Sequence, residues 1–278
     1  MRVLITGAGG SLGSGLAEAL TGKCDLVLSD CFPMTTRHEY RQADLRALDQ
    51  TLPIARGCDF IFHTPAWHGM HGGQKSEVDY WQLNVDGSFH VFQSALQHNV
   101  RRMAWASSVA ISGWERDKYG FSKFIGEHLC GYYHRVHGFR IGIIRPWDFT
   151  PFGTDFIRYG ERLLTGGVDR HDVIECAVRV MEKVMDGAAG CDVFEIGSDH
   201  PFTPEECDAF QSDPRAIIER HWPGHGDLID KYGLRFPDRP VMADLEKTKR
   251  MLGFAPRYDF GSFLAELRRR DAEGIPVR

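Results

Sequence analysis

The sequence lacks the cysteine pattern of a disulfide-stapled or zinc-binding protein. Its seven cysteines are odd in number and contain no Cys-x-x-Cys pair, whereas disulfide frameworks and structural zinc sites use even or closely spaced sets. We expect them to be small buried or incidental residues. They are Cys24, Cys31, Cys58, Cys130, Cys176, Cys191 and Cys207.

A basic charge excess, sequence repeats and a long apolar run are missing too. The net charge is −5 and the pI is near 6.2, which disfavours nucleic acid and anionic membrane as partners. No run approaches the ~20 apolar residues that span a bilayer, and no targeting segment precedes the first predicted strand. The sequence therefore predicts a cytoplasmic protein that acts on a small molecule.

The amino-terminal residues carry the most information. Residues 1–6 form an apolar run without polar alternation, as in a strand buried on both faces of a parallel sheet. Gly7, Gly10 and Gly13 follow, and a helical apolar pattern begins at once. Glycines at such a turn let the chain approach a phosphate, and the helix amino terminus attracts the anion. A purely structural turn is the alternative.

A second apolar run, residues 25–29, ends at Asp30. A dinucleotide-binding unit places an acid at this point to accept hydrogen bonds from the adenosine ribose, and its carboxylate repels a 2′-phosphate. The spacing predicts NAD rather than NADP as the cofactor.

Further strands and helices alternate along the chain. The pattern predicts strands over 59–63, 101–107, 139–144 and 193–196, and helices that end near Ala55 or span 76–99, 118–136 and 171–185. This alternation indicates an α/β fold with a doubly wound parallel sheet of the Rossmann type.

Two parts of the chain depart from that alternation. Residues 150–167 are glycine-rich, and the chain after residue 200 is helical and rich in turns. We expect residues 1–149 and 168–200 to form an NAD-binding domain, and residues 150–167 and 201–278 to form a small substrate-binding lobe.

The segment from Thr64 to Gly73 follows a predicted strand and contains His68 and His71. Open α/β sheets bind ligands beyond such strand ends, so we expect a mobile loop that contacts cofactor or substrate. A metal site is disfavoured, because no carboxylate or cysteine joins the histidines at ligand spacing.

Tyr119 and Lys123 form the main catalytic candidate. Residues four apart share one helix face, and an adjacent ammonium favours the phenolate form of a tyrosine. Ser108, at the end of the preceding predicted strand, can hydrogen-bond the reacting oxygen. The three residues predict an acid/base site for a hydroxyl or carbonyl substrate.

With these landmarks, the chain resembles an extended short-chain dehydrogenase/reductase of the NAD-dependent epimerase/dehydratase family. The similarity runs through nearly the whole chain, in the motifs Thr6-Gly7-x-x-Gly10-x-x-Gly13, Asp30, Ala43-Asp44-Leu45, His63, Asn84-Val-Asp-Gly87, Ser107-Ser108, Tyr119-Gly-x-Ser-Lys123 and a carboxy-terminal Leu252-Gly-Phe254-x-Pro256 turn.

The resemblance implies roles for these residues. Asp44 would contact adenine, Lys123 would also bind the nicotinamide ribose, and Ser108, Tyr119 and Lys123 would be catalytic. The implied NAD-binding residues are Gly7, Gly10, Ser11, Leu12, Gly13, Asp30, Asp44, Leu45, His63, Tyr119 and Lys123. The implied substrate-binding residues are Ser108, Val109, Arg162 and His68.

Departures from the family pattern narrow the range of reactions and substrates that the resemblance implies. Val109 and Ala110 stand where dehydratases and decarboxylases carry an acid, which disfavours elimination. The insertion that contacts a nucleotide diphosphate is absent before residue 168, so the chain looks most like the uronate dehydrogenase branch. In that comparison Arg162 matches an arginine that binds the substrate carboxylate, as its forked donors allow; Arg170 is the second candidate.

The sequence thus predicts an NAD-dependent oxidoreductase acting on a hydroxyl of a sugar, sugar acid or similar small polyol. A nucleotide-sugar epimerase with tightly bound NAD is the alternative, and a non-catalytic NAD-binding protein is a further one. Related folds also suggest a homodimer formed through the two helices nearest the active site.

Overall fold

The protein contains a parallel seven-stranded sheet in a computed structural model that describes residues 1–149 and 155–277. The strand order is β3-β2-β1-β4-β5-β6-β7, and β1 pairs in parallel with both β2 and β4. The strands are β1 (Arg2–Thr6), β2 (Asp25–Ser29), β3 (Glu39–Tyr40), β4 (Phe60–His63), β5 (Arg102–Ala106), β6 (Arg140–Pro146) and β7 (Cys191–Ile196).

Helices connect and flank these strands, as expected for a doubly wound sheet. They are α1 (Ser11–Leu20), α2 (Leu48–Thr51), α3 (Glu77–Tyr80), α4 (Gly87–Gln97), α5 (Lys118–His137), α6 (Phe156–Leu163), α7 (Arg170–Met185), α8 (Pro204–Ala209), α9 (Pro214–His221), α10 (Gly226–Tyr232), α11 (Glu246–Leu252) and α12 (Phe260–Glu273). Within the described ranges, no helix has the length and apolar character needed to cross a membrane.

The chain divides into two compact units. Among the described residues, the first comprises 1–145 and 174–194, and the second comprises 146–149, 155–173 and 195–277. Each has a core of its own: Trp105, Phe92 and Tyr133 are buried in the first, whereas Phe210 and Phe263 are buried in the second. The prediction that one part binds NAD and the other binds substrate concerns function and remains a prediction; residues 150–154 of its boundary segment lie outside the described residues.

The predicted α/β fold with a doubly wound parallel sheet is confirmed, two local expectations need correction, and one further strand is present. The helix expected to end near Ala55 is only the single turn α2, followed by hydrogen-bonded turns. The short edge strand β3 was not anticipated, because two residues give no periodicity. The helix expected over 76–99 contains a π-helical segment, Trp81–Asp86, between α3 and α4.

Candidate active site

The glycine turn after β1 is shaped by contacts that exclude a side chain. Gly7 has a φ of +69°, and a Cβ there would lie 2.8 Å from the Pro65 nitrogen. A Cβ on Gly13 would lie 2.2 Å from the Gly7 carbonyl oxygen. The turn and the first turn of α1 are therefore packed backbone against backbone, as a close approach to a phosphate requires.

The helix that follows presents its amino terminus at this turn. α1 begins at Ser11, and the residue before it, Gly10, gives no side-chain cap. Leu12, in the first turn of α1, is buried and fixes that turn against the core. Anions bind at such helix termini because the first amide groups point outward along the helix dipole.

Asp30 lies at the end of β2, beside the glycine turn. Its Oδ2 accepts a hydrogen bond from the Gly9 amide (3.0 Å), which fixes the carboxylate next to the turn. Tyr40 donates to the Asp30 carbonyl (3.0 Å), so β3 holds this strand end in place. The acid predicted to select NAD is therefore positioned against the phosphate-binding turn.

Asp44 and Leu45 lie after β3. Both carboxylate oxygens of Asp44 accept hydrogen bonds from the Arg46 side chain, and this pairing lowers the pKa of Asp44. The Leu45 carbonyl accepts from His90 Nδ1 (2.7 Å), and a Cβ on Gly87 would lie 3.3 Å from Leu45 Cβ. Asp44 is thus an ionised, oriented acceptor, as contact with an adenine amino group requires.

These features fit NAD. The turn has a cradle that a Cβ on Gly7 or Gly13 would fill, and the Asp30 carboxylate beside it is the group that would accept from ribose hydroxyls. When bound, the cofactor supplies a hydride acceptor. Gly7, Gly10, Ser11, Leu12, Gly13 and Asp30 are the residues that would hold it.

α5 carries Tyr119 and begins with a well-defined cap. Asp117 Oδ1 accepts from the Gly120 amide (2.9 Å), a typical amino-terminal cap. A Cβ on Gly120 would lie 2.5 Å from the Ala110 carbonyl oxygen. Because Gly120 lacks a side chain, the first turn of α5 packs directly on the 3₁₀ turn Val109–Gly113 that follows Ser108.

Lys123 is 3% exposed. Its Nζ donates to the Ala106 carbonyl (2.6 Å) and lies 4.7 Å from the centre of the Trp105 ring and 5.9 Å from that of Tyr119. Burial lowers the pKa of Lys123 to about 8. The ammonium is thus desolvated beside Tyr119, where its charge acts most strongly on a phenol.

Ser108 lies directly after β5 and is 8% exposed. Its Oγ accepts from the Ala110 amide (3.2 Å) and caps the 3₁₀ turn in which Val109 is half-buried. The hydroxyl hydrogen remains available to a substrate oxygen, since Oγ is the acceptor in that contact.

His63 is a core residue. Its Nδ1 lies 2.9 Å from Thr6 Oγ1 and its Nε2 lies 3.0 Å from Ser88 Oγ. Burial and the charge of Lys123 lower the pKa of His63 to about 3, so the ring is neutral. Both ring nitrogens are engaged by Thr6 and Ser88 inside the protein, and the predicted contact of His63 with NAD stays a prediction.

Asn84, in the π-helical segment, joins the site to the neighbouring loop. Its side chain exchanges two hydrogen bonds with the main chain of Trp67 (2.8 and 2.9 Å) and donates to Ser122 Oγ (2.8 Å). Ser122 donates to the Tyr119 carbonyl (2.8 Å). Asn84 therefore ties the loop after β4 to the helix turn that carries Tyr119.

That loop is fixed by several contacts rather than loose. Tyr80 donates to the His68 carbonyl (2.6 Å), and His71 Nδ1 accepts from the His68 amide (3.1 Å). Lys118, which precedes Tyr119, donates to the Gly72 and Lys75 carbonyls. His68 is thus held near α5. Among the described residues no group of three metal-ligating side chains is assembled.

Arg162 lies in the second unit, on α6, and is 7% exposed. Its Nη1 lies 3.9 Å from Asp148 Oδ2, and burial lowers its pKa. It lines a cavity of about 440 Å³ together with Asp148, Arg158, Glu161 and Arg235. Arg170, the second candidate, begins α7 and is half-buried.

The sequence analysis assigns no role to three polar residues that support the site, namely Thr6, Asn84 and Glu127. Thr6 and Asn84 lie inside recognised motifs, but their partners are distant in the chain and give no local signal. Glu127 was detectable, because it continues the four-residue spacing from Tyr119 through Lys123 along α5.

Comparisons with known proteins agree with this arrangement. Residues 3–170 match the NAD dependent epimerase/dehydratase family. The uronate dehydrogenase of Pseudomonas putida is 31% identical over 52% of this chain and 59% of its own length. GDP-mannose 3,5-epimerase 1 of Oryza sativa subsp. japonica is 28% identical over 55% of this chain and 48% of its own length. The match thus spans about half to three fifths of these curated relatives.

Solved structures show the same fold at low sequence identity. A short-chain dehydrogenase/reductase superfamily protein from Agrobacterium tumefaciens with bound NAD superposes with a TM-score of 0.72 at 18% identity, covering 99% of both chains. The family match extends over more than half of the sequence and includes the glycine turn, Ser108, Tyr119 and Lys123. The chain belongs to the NAD dependent epimerase/dehydratase family and takes NAD as its cofactor.

Proposed function

We propose that the protein is an NAD-dependent dehydrogenase that oxidises a hydroxyl of a free sugar, a sugar acid or a similar small polyol. The observation that carries the proposal is the desolvated ammonium of Lys123 beside Tyr119, on a helix packed directly against the turn that follows Ser108. This combination provides a base, its electrostatic support and a hydrogen-bond donor within one unit.

The residues divide the work as follows. Tyr119 accepts the proton of the substrate hydroxyl as general base. Lys123 stabilises the phenolate, since a positive charge in a water-poor site favours the charged form of the phenol. Ser108 donates to the substrate oxygen and limits its orientation, which lowers the entropy cost of reaching the reactive geometry.

Arg162 is the proposed carboxylate-binding residue for a sugar acid. Its guanidinium is already buried in the protein, so pairing with a ligand carboxylate requires little further desolvation of the arginine. Arg158 and Arg235 line the same cavity and add positive charge against Asp148 and Glu161. The volume of about 440 Å³ is within the range of small-ligand sites. The alternative substrate, a nucleotide sugar, fits the epimerases among the relatives.

The test is an assay with NAD⁺ and two substrate panels, free sugars with their acids and UDP- or GDP-sugars. We expect NADH fluorescence with a member of the first panel. Epimerised nucleotide sugar without net NADH would replace the dehydrogenase proposal with the epimerase alternative. Binding of NAD without turnover on either panel would favour the non-catalytic alternative.

The role of Arg162 is tested by Arg162→Lys, which keeps the positive charge and loses the two parallel donors of the guanidinium. We expect KM for a sugar acid to rise roughly tenfold or more, because a bidentate pair is lost, with little change for the corresponding neutral sugar. Arg250→Lys is the control, since Arg250 is an exposed residue of α11 paired with Glu246. An equal rise in KM for the acid and the neutral sugar contradicts the assignment.

We also propose a homodimer formed through α4 and α5. These helices and the segment before α4 expose large apolar side chains at helical spacing, and the rings of Trp81 and Phe121 lie 6.5 Å apart. A second copy of the chain would cover this apolar face. Its members are Val78, Trp81, Phe89, Phe121, Tyr132 and Val136.

A further inference from the structure

Glu127 lies one helical turn beyond Lys123 on α5 and is enclosed by polar partners. Its side chain is 10% exposed. Oε1 accepts from Ser107 Oγ (2.5 Å) and from Arg145 Nε (2.7 Å), and Oε2 accepts from Arg145 Nη2 (2.5 Å). The carboxylate is therefore fixed by three donors from two strand ends.

These contacts fix the segment that carries Ser108. Ser107 immediately precedes Ser108 and also donates its amide to the Ile144 carbonyl (2.7 Å). Arg145 follows Ile144 in β6. Glu127 thus ties the ends of β5 and β6 to α5 at one point. Lys123 binds the Ala106 carbonyl from the preceding turn of the same helix, so two successive turns of α5 hold two successive residues before Ser108.

The charge of Glu127 also bears on Lys123. The groups that face the lysine among the described residues are Tyr119, the Trp105 ring, His63, Cys130 and Glu127. His63 is neutral, and burial raises the pKa of Cys130 well above its usual value. Glu127 is therefore the acidic member of this described set that favours the ammonium at neutral pH, against the effect of burial.

We propose that Glu127 is a positioning residue of the reaction: it holds Ser108 in register with Tyr119 through Ser107 and Arg145, and it sustains the charge of Lys123. The inference rests on the proposed function, because it assumes that Ser108, Tyr119 and Lys123 act on the substrate. A purely structural ion pair between α5 and β6 would stabilise the fold but would leave the ionisation of the site unchanged.

Glu127→Gln distinguishes the proposed positioning role from a purely structural ion pair, because glutamine keeps the shape of the side chain and loses its charge. We expect kcat to fall roughly tenfold or more, as small misplacements of reacting groups cost such factors, with KM changed less than threefold. We expect the alkaline limb of the kcat–pH profile to move down by about one pH unit, because Lys123 loses the favourable negative charge of Glu127. Glu127→Asp keeps the carboxylate charge, so it should return the alkaline limb most of the way to its wild-type pH.

The matched control is Glu206→Gln. Glu206 is a similarly covered carboxylate, 13% exposed, that pairs with Arg220 and His221 in the second unit. We expect this variant to lose stability without moving the pH profile. A Glu127→Gln enzyme with the kcat and alkaline limb of the wild type would overturn the proposal.

Ser107→Ala covers the case in which Glu127→Gln does not fold. This variant removes one hydroxyl and keeps the Glu127 charge, so kcat should fall while the alkaline limb stays in place. An unchanged kcat in Ser107→Ala, with its fold intact, would refute the positioning of Ser108 through this contact.

A titration without substrate keeps this inference separate from the proposed function. Tyrosinate absorption is recorded against pH for the wild type and for Tyr119→Phe, and the difference belongs to Tyr119. In Glu127→Gln the onset of that difference should move to higher pH, because Lys123 then loses its proton at lower pH and its ammonium no longer supports the phenolate. This shift would support the charge role of Glu127 even if no sugar is oxidised, and its absence in an enzyme that oxidises sugars would overturn that role.

Discussion

Lys123 brings a charge into the protein interior at a cost that depends on pH. Its pKa is about 8 in the folded chain and about 10.4 in an unfolded chain. Below pH 8 the lysine is charged in both states, and the folded state bears the full desolvation cost. Between these values only the unfolded chain keeps the proton, so the cost is progressively relieved as pH rises.

We therefore expect the unfolding free energy of the wild type, relative to Lys123→Met, to rise between pH 7 and pH 10.5 by up to about 3 kcal/mol, as the difference between the folded and unfolded pKa values implies. Urea unfolding of both proteins across this range measures it. Catalytic activity should decline over the same range, because the ammonium beside Tyr119 is lost. A pH-independent difference in stability would contradict the buried, ionising lysine.

Tyr119 is the residue whose chemistry is most directly testable. Tyr119→Phe removes the hydroxyl and keeps the ring. We expect kcat to fall by about 10²-fold or more, because a general base usually accelerates a reaction by at least this factor. NAD affinity should change less than threefold, as measured by calorimetric titration. Tyr132→Phe, an exposed position on the same helix, is the control and should retain activity. Undiminished turnover in Tyr119→Phe would exclude the proposed base.

Side chains with local sequence signals were predictable, and those with distant partners were not. The order of glycines before α1, the acid after β2 and the spacing of Tyr119 and Lys123 can be read along the chain. The pairing of His63 with Thr6 and Ser88 depends on how β1, β4 and α4 come together. A contact between such distant residues leaves no periodic pattern in the sequence. Only the family motif that contains His63 indicates a role in NAD binding.

At the scale of elements, glycines decide how closely α5 approaches its neighbours. A Cβ on Gly126 would lie 2.3 Å from the Trp105 ring, and a Cβ on Gly120 would lie 2.5 Å from the Ala110 carbonyl. Both contacts are with groups that cannot easily move, a buried ring and the main chain. Gly131, on the same helix, meets only the flexible Arg135 side chain at 3.6 Å.

The two kinds of glycine predict opposite effects of alanine. Gly120→Ala should push the first turn of α5 from the turn after Ser108, lowering kcat more than NAD affinity, since it separates Tyr119 from Ser108. Gly131→Ala should raise the unfolding free energy by about 0.5–1 kcal/mol, because alanine is the better helix former. Thermal unfolding and steady-state kinetics of both variants test this. A Gly120→Ala enzyme with the kcat of the wild type would refute the close packing.

Element types followed from periodicity more reliably than their internal geometry. The apolar spacing over 76–99 predicted one helix, and the chain there is indeed helical. The π-helical turn that places Asn84 against Trp67 and Ser122 has no signature in that spacing. It inserts one extra residue into the helix, and a single insertion hardly alters a periodicity averaged over six turns.

At the scale of the whole molecule, the exposed apolar face of α4 and α5 gives the proposed homodimer a specific test. Stable interfaces bury about 1,200–2,000 Å² and have apolar centres, which large side chains such as Trp81 and Phe89 can supply. Trp81→Glu places a charge in the centre of this face, and Leu48→Glu is the control, because Leu48 is similarly exposed (41% against 45% for Trp81) but lies on α2.

In sedimentation velocity, the wild type and Leu48→Glu should both show twice the chain mass of 31.5 kDa, whereas Trp81→Glu should shift to the monomer as its concentration is lowered. The reason is that burial of an unpaired carboxylate at the interface costs several kcal/mol, while the same side chain is harmless in water. Because α5 carries Tyr119 and Lys123 on a different part of its surface, NAD affinity should remain in the monomer. A wild type that sediments as a monomer at all concentrations would contradict the dimer.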